Sequence, residues 1–244
     1  MQLYGLVGYP LTHSFSQKYF TEKFAQLGLS ETHAYHNFSI SAIDQLAAAV
    51  LQKQNLKGFN ITIPYKKQIL PFLHHQTPAV QAMGACNCVH IQQQQLIGYN
   101  TDIIGFEQSL KPFLKQHHTK ALILGTGGAA AAVEYVLQQL GIKWINVSRT
   151  PHANAIGYDA LDEQTMTNHT LIINTSPVGQ FPAVQNAPNI PYAFLTPAHH
   201  LFDLIYNPTE TSFMQRGRQQ GATVQNGYEM LVIQAEESWR IWNS

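Results

Sequence analysis

The sequence is short of charge. Asp, Glu, Lys and Arg make up only 11% of 244 residues, against about 25% in typical soluble proteins. The 14 basic and 14 acidic side chains cancel, so the formal net charge is zero. That excludes a broad basic footprint for nucleic acid or an anionic lipid surface. Cysteine is scarcer still, with only Cys86 and Cys88. A disulfide framework is excluded, a bridge within Cys-x-Cys would be strained, and two thiols alone do not make a zinc site. The expectation is a pair of reduced, buried thiols in a cytoplasmic protein with no bound metal. Long apolar runs are missing too. The most apolar stretch, 121–137, is broken by Gly125, Gly127, Gly128 and Glu134 and is too short to span a bilayer. No basic stretch precedes an apolar run near the N-terminus, so neither a secretory leader nor a membrane partner is expected.

What is present suits a packed core. Hydrophobic residues are 45% of the chain, and aromatic and β-branched side chains recur throughout, which argues against disorder. Gln, Asn, His, Ser and Thr replace charges on the surface. The 12 histidines begin to charge near pH ~6.5, turning that surface positive in mild acid. The length allows one large domain or two small ones.

Local patterns predict the elements. Leu3-Tyr4-Gly5-Leu6-Val7-Gly8 reads as a first strand. Phe20, Phe24 and Leu27, spaced i, i+4, i+7, predict a helix from about Gln17, with Gly28 as its C-cap. A second helix is predicted over 43–51, and a strand over 58–63 stopped by Pro64. Residues 88–91 and 96–99 predict a hairpin whose Gln-rich tip is 92–95. A helix over 104–114 is predicted to cross between domains. From Lys120 a new unit begins: a strand at 121–124, a helix over 129–140 with Val133, Val136, Leu137 and Leu140 on one face, and a strand at 144–147. Strands at 171–174 and 201–204 and a helix over 228–242 complete the reading. Alternating β and α argues for an α/β architecture with largely parallel sheets.

Gly125-Thr126-Gly127-Gly128-Ala129-Ala130 fits G-x-G-x-x-A between a predicted strand and a predicted helix. Glycines let the backbone approach a pyrophosphate, and the helix N-terminus supplies free N–H groups and partial positive charge. The bland alternative is a glycine-rich turn that binds nothing. A site for NAD places Asp or Glu about 20 residues on. Here the next strand ends in Val147-Ser148-Arg149-Thr150 with no carboxylate. Arg149 offers a planar fork suited to a 2′-phosphate, and Ser148 and Thr150 offer hydroxyls. NADP is therefore favoured, against the alternative that Arg149 is a solvated surface charge.

Other polar residues sit where strands end. Ser14 and Ser16 flank a helix start, where serine serves as an N-cap or as part of a carboxylate site. Lys66 follows a strand, where a lysine is ordinarily solvated, as neighbouring Lys67 would be. Asp102 stands where a helix N-cap would. Singly, none of these is diagnostic. Together they resemble the shikimate dehydrogenase family. The resemblance runs through Gly8-Tyr9-Pro10-Leu11-Thr12-His13-Ser14-Phe15-Ser16, the Asn60-x-Thr62-x-Pro64-x-Lys66 segment, Gly84-Ala85-Cys86-Asn87 and Asn100-Thr101-Asp102-Ile103-Ile104-Gly105. It continues through Asn174-Thr175-Ser176-Pro177-Val178-Gly179, Asp203-Leu204-Ile205-Tyr206-Asn207-Pro208 and the run from Gly227 to Ala235, covering essentially the whole chain in order.

The resemblance implies an α/β fold. An N-terminal α/β substrate and catalytic domain, residues 1–102, is completed by 228–244. A Rossmann-type NADP-binding domain spans 103–227, and the C-terminal helix returns to the first domain. The implied reaction is reversible NADPH-dependent reduction of 3-dehydroshikimate to shikimate. By motif position Ser14 and Ser16 bind the substrate carboxylate. Thr62, Asn87, Asp102, Tyr206 and Gln234 contact its ring hydroxyls or their surroundings, and Lys66 and Asp102 form the catalytic pair. Gly125, Thr126, Gly127, Gly128, Ala129, Ser148, Arg149 and Thr150 hold NADP, with Leu204 and Gly227 against the nicotinamide. The implied partner is a small molecule, in a monomer or homodimer.

Five departures stand out. Gln17 replaces the proline that usually follows the second serine, and Ser148 the usual asparagine before Arg149. Pro151, His152 and Ala153 stand where a second basic residue often follows, so Arg149 carries most of the 2′-phosphate clamp and His152 helps only when protonated. Cys88 replaces a common threonine, and Pro78 aligns with an acidic residue that touches the cofactor. Rival readings are a quinate/shikimate dehydrogenase using NAD, another two-domain dehydrogenase such as one acting on methylene-tetrahydrofolate, and a non-catalytic dinucleotide-binding regulator. The folate enzyme would need neither the paired serines nor Gln234, and the regulator would need neither Lys66 nor Asp102.

Overall fold

The computed structural model describes residues 1–11 and 14–244, so Thr12 and His13 of the first motif lie outside the described residues. The chain divides into two compact units, Met1–Ile104 with Gln234–Ser244, and Gly105–Ile233. The division falls inside the last helix rather than at its start.

The first unit opens with β1 (Gln2–Gly8), α1 (Phe15–Gln26), β2 (His33–Ser39) and β3 (Leu56–Ile61). It continues with β4 (His75–Gln76), α2 (Pro78–Met83), β5 (Cys88–Gln92), β6 (Gln95–Tyr99) and the start of α3 (Asp102–Leu110). Its sheet runs β2-β1-β3-β5-β6-β4. β1 pairs in parallel with β2 and β3, and β5 is antiparallel to both β3 and β6. The sheet is therefore mixed. The β5–β6 turn places Gln93 and Gln94 at φ 50° and 62°, the left-handed pair of a two-residue hairpin built here without glycine.

Side chains alternate along β1. Leu3 and Val7 enter one apolar cluster with Phe59, Ile61, Leu46 and Val50, while Tyr4 and Leu6 enter another with Phe20, Phe24 and Trp242. A period of two sends successive residues to opposite faces, so both faces are covered. Phe20 and Phe24, one turn apart on α1, are almost fully buried, and burial of each contributes roughly 1.5–3 kcal/mol. Leu27 is the C-cap of α1, and Gly28 follows at φ 69°. The helix expected over 43–51 forms instead as a 3₁₀ turn, Ile43–Gln45, and a π turn, Ala47–Leu51. Its i, i+4 pair, Leu46 and Val50, is buried as that spacing requires.

The second unit contains β7 (Lys120–Leu124), α4 (Gly128–Gln139), β8 (Lys143–Val147), β9 (Ala155–Ile156) and α5 (Glu163–Asn168). It adds β10 (Leu171–Asn174), β11 (His200–Asp203), α6 (Ser212–Gln219) and β12 (Thr223–Gln225). Helix α7 (Tyr228–Trp242) begins here and ends in the first unit. The sheet is wholly parallel in the order β12-β11-β10-β7-β8-β9. The order reverses between β7 and β10, the switch point at which doubly wound sheets bind ligands. Ala130, Val133, Val136 and Leu137 form the buried stripe of α4. No helix among the described residues is long and apolar enough to cross a membrane.

Candidate active site

In the first unit, Ser14 is the N-cap of α1, and its Oγ accepts from Gln17 N at 3.1 Å. The departure at position 17 therefore has a local consequence. A proline there would have no N–H to give, whereas Gln17 supplies the cap and also accepts from Asn37 Nδ2 at 2.8 Å. Ser16 lies inside the first turn, beside the buried Tyr35 hydroxyl. Burial pushes that hydroxyl's pKa well up, and its contact with Ser16 acts in the opposite sense.

Lys66 follows β3 in a tight turn, where Tyr65 Oη is anchored on Ile40 O at 2.6 Å. Lys66 O accepts from Cys86 N at 2.8 Å. The side chain then reaches Asp102, with Nζ 2.6 Å from Oδ2. The lysine side chain is 23% exposed and the carboxylate 8%, whereas Lys67 is exposed. Asp102 is the first residue of α3 rather than its N-cap, and Asn100 Oδ1 accepts its N–H at 3.1 Å. Both carboxylate oxygens are thus released from capping.

Asn87 and Gln234 meet although 147 positions apart, Asn87 Nδ2 donating to Gln234 Oε1 at 3.3 Å. Asn87 Oδ1 accepts from Thr101 N at 2.7 Å. Thr62 follows β3 half-buried, with its N–H on Val7 O at 2.9 Å. Sequence reasoning had no role for Asn60, Thr101, Tyr35 or Ser238, which the fold brings beside these side chains. Asn60 Oδ1 accepts from Tyr35 Oη at 2.9 Å, and its Nδ2 donates to Ser238 Oγ at 2.9 Å. The available signal was a serine within the buried stripe Ala235, Ser238, Ile241 and Trp242, the one polar member.

The cysteines are free and buried. Burial pushes the Cys86 thiol up to about 12 and the Cys88 thiol well above its usual range, so neither is a nucleophile at neutral pH.

In the second unit, Gly125 has φ 120°, and a Cβ there would meet Thr175 Oγ1 at 2.7 Å. Only glycine fits where the β7 and β10 loops approach. Gly127 is the N-cap of α4, and no side chain among the described residues caps the helix. A Cβ on Gly127 or Gly128 would meet no atom of the described residues within 4 Å. The first turn of this 12-residue helix thus lacks a side-chain cap and has clearance at both glycines, as a phosphate group at helix N–H donors requires.

Ser148, Arg149 and Thr150 follow β8, with Arg149 and Thr150 exposed. Thr150 N donates to Ser148 Oγ at 3.3 Å. The loop closes when Ser148 N reaches Ile156 O at 2.9 Å and His152 and Ala155 exchange backbone bonds at 3.0 Å. His152 therefore shares this loop with Arg149. Pro78, by contrast, opens α2 in the first unit and offers no charge.

Leu204 and Gly227 are brought together. A Cβ on Gly227 would lie 2.1 Å from Leu204 O, so position 227 admits no side chain. Gly227 N donates to Ile205 O at 3.0 Å. Tyr206 belongs to the same loop, and burial raises its pKa. Asp203 anchors that loop from below. Its Oδ1 accepts from Asn174 Nδ2 at 3.0 Å and Ile205 N at 3.1 Å, and its Oδ2 from Thr211 Oγ1 at 2.6 Å. Burial drives Asp203 up to about 6 against those bonds.

Residues 6–89 match the model of the shikimate dehydrogenase substrate binding domain. Shikimate dehydrogenase (NADP(+)) of Trichormus variabilis is 36% identical over 264 residues, covering 99% of this chain and 90% of that protein. Among solved structures, shikimate 5-dehydrogenase from Listeria monocytogenes in complex with shikimate and NAD superposes with a TM-score of 0.89 at 26% identity, covering 100% of this chain and 92% of that one. The Thermus thermophilus enzyme in complex with NADP(H) and shikimate gives 0.87 at 27% identity, over 99% and 93%. Identity above 30% along nearly the full length of both chains leaves one conclusion: this chain belongs to the shikimate dehydrogenase family.

Proposed function

We propose that the protein catalyses the reversible NADPH-dependent reduction of 3-dehydroshikimate to shikimate. The observation that carries the assignment of roles is the Lys66–Asp102 pair at 2.6 Å, most of it sheltered from water, in the same unit as the Asn87–Gln234 contact. When bound, NADPH supplies the hydride. Hydride arrival at the ketone carbon leaves charge on oxygen. The Lys66 ammonium stabilises that charge and delivers the proton, and Asp102 orients the ammonium through the short ion pair. In the reverse direction neutral Lys66 takes the hydroxyl proton as hydride leaves the carbon. The sum is ketone, NADPH and a proton on one side, and alcohol and NADP⁺ on the other.

Ser14 and Ser16, at the start of α1, take the substrate carboxylate, helped by the positive end of that helix. Thr62, Asn87, Asp102, Tyr206 and Gln234 read the ring hydroxyls. A site built from such groups can reject an analogue lacking a hydroxyl by about 10⁴–10⁵-fold, because its own polar groups are then left unpaired.

The uncapped start of α4, with Gly125, Thr126, Gly127, Gly128 and Ala129, suits the pyrophosphate. Ser148, Arg149 and Thr150 suit the 2′-phosphate, and Leu204 with Gly227 flanks the nicotinamide. The units Met1–Ile104 with Gln234–Ser244 and Gly105–Ile233 then serve as substrate and NADP domains.

The test is a spectrophotometric assay of NADP⁺ reduction with shikimate, repeated with NAD⁺ and with quinate. Turnover with shikimate and NADP⁺ at the highest kcat/KM of the four combinations is expected. Preference for quinate with NAD⁺ would replace this reading with the quinate one.

A further inference from the structure

A serine on the buried face of a helix calls for a reason. Alanine is the better helix former, and a serine hydroxyl that bonds back to the i−4 carbonyl weakens its helix slightly. Ser238 does this on α7, donating to Gln234 O at 2.8 Å, with no surface exposed. Two other segments bring it side-chain partners. Asn60 Nδ2, at the end of β3, donates to its Oγ at 2.9 Å, and Thr101 Oγ1, just before α3, lies 3.4 Å away. Thr101 in turn holds Asn87, its N–H donating to Oδ1 at 2.7 Å and its Oγ1 accepting from Nδ2 at 3.1 Å, which leaves the Thr101 hydroxyl proton for Ser238 Oγ. Asn87 Nδ2 meets Gln234 Oε1 at 3.3 Å, one helical turn from Ser238.

The contacts close on themselves through Ser238, Thr101, Asn87 and Gln234. Asn60, fixed by Tyr35 Oη at 2.9 Å and donating to Asn87 O at 3.3 Å, braces the ring from β3. The circuit has a polarity. Asn87 presents its amide nitrogen to the Gln234 oxygen, so Gln234 keeps its own Nε2 as the group left to act outward. An amide nitrogen donates and cannot accept.

We propose that Ser238 is a positioning residue that closes this ring, holding Gln234 with Nε2 as a donor toward a substrate oxygen and so setting substrate affinity from beneath the site. This rests on the reading of Gln234 as a substrate contact. A hydroxyl needed only for packing would affect the folded fraction; one that orients Gln234 affects the KM for one substrate and loses its effect once Gln234 is gone.

The experiment uses the full-length enzyme. Ser238→Ala should raise the KM for shikimate about tenfold, equivalent to one net hydrogen bond, with kcat within about threefold and the KM for NADP⁺ within about twofold. In a Gln234→Ala background the same substitution should change the shikimate KM less than about twofold. Thr101→Val opens the ring from the other side without touching α7, and should give the same pattern if Ser238→Ala does not fold. In the ligand-free protein the Gln234 side-chain amide resonances should shift in either variant. An unchanged shikimate KM, an equal rise in both backgrounds, or unmoved Gln234 amide resonances would overturn the proposal. A wild-type enzyme that fails to oxidise shikimate would instead count against the functional reading, while the resonances still report on the ring.

Discussion

Acid should weaken the second unit through His200. This histidine ends no loop and faces no solvent. It opens β11 with no surface exposed and stacks on Phe113 at 4.8 Å. Thr223 Oγ1 donates to His199 O at 3.2 Å, so His200 Nδ1 carries the proton and donates to Thr223 Oγ1 at 2.9 Å. On the other side Gln225 favours a proton, yet among the described residues neither His200 Nε2 nor Gln225 Oε1 has a hydrogen-bond partner. Burial therefore prevails, and with His118 and Lys115 adding repulsion it brings His200 down to about 4.

The unfolded chain holds an ordinary histidine near 6.5. Below pH 6.5 the unfolded state binds a proton that the folded state refuses, so stability falls as pH falls. The effect is nearly absent at pH 7.5, about 2 kcal/mol at pH 5 and about 3 kcal/mol once both states are protonated. The check is urea unfolding at pH 7.5 and 5.0 for wild type and His200→Asn, which keeps a polar atom for Thr223 and cannot charge. Loss of the stack makes the variant weaker at pH 7.5. Its further loss on acidification should be about 2 kcal/mol smaller than that of wild type. Equal losses would refute the reasoning, as would a ring titration midpoint for His200 near 6.5 by NMR.

Lys66→Ala should lower kcat by about 10²–10⁴-fold with an unchanged melting temperature, whereas Lys67→Ala should stay within about threefold of wild type, because only Lys66 reaches Asp102. Equal activity in the two variants would remove the catalytic assignment. Arg149→Ala should raise the KM for NADP⁺ by about 10–100-fold through loss of a charged hydrogen bond, with little change for NAD⁺; parallel changes would show that Arg149 does not read the phosphate. Gly58→Ala should destabilise the first unit by about 2–4 kcal/mol, because its Cβ would fall 2.3 Å from the Trp242 ring and displace the indole N–H from Val89 O. A thermal melt within a degree of wild type would contradict that packing.

Much of this protein was determined by the chain alone, wherever the cause is local. The stripe on α4, the Gly28 stop of α1, the Gln93–Gln94 turn and the glycine loop after β7 each follow from rules acting over a few residues. Conformational freedom and periodicity need no distant partner. Strand β2 escaped notice because His33, His36 and Asn37 dilute its alternation, and its place at the sheet edge tolerates them. The stretch 43–51 had the spacing of a helix, but local spacing does not choose between α, 3₁₀ and π turns. Local rules did not decide which of two adjacent lysines meets a carboxylate, since that depends on where a turn and a distant helix start come to rest; the family resemblance pointed to Lys66, and the tertiary structure brings it to Asp102. It also decided the sense of the Asn87–Gln234 contact and the place of Ser238. The hydroxyl at 238 has its meaning only through Asn60 and Thr101, brought to it from more than a hundred residues away.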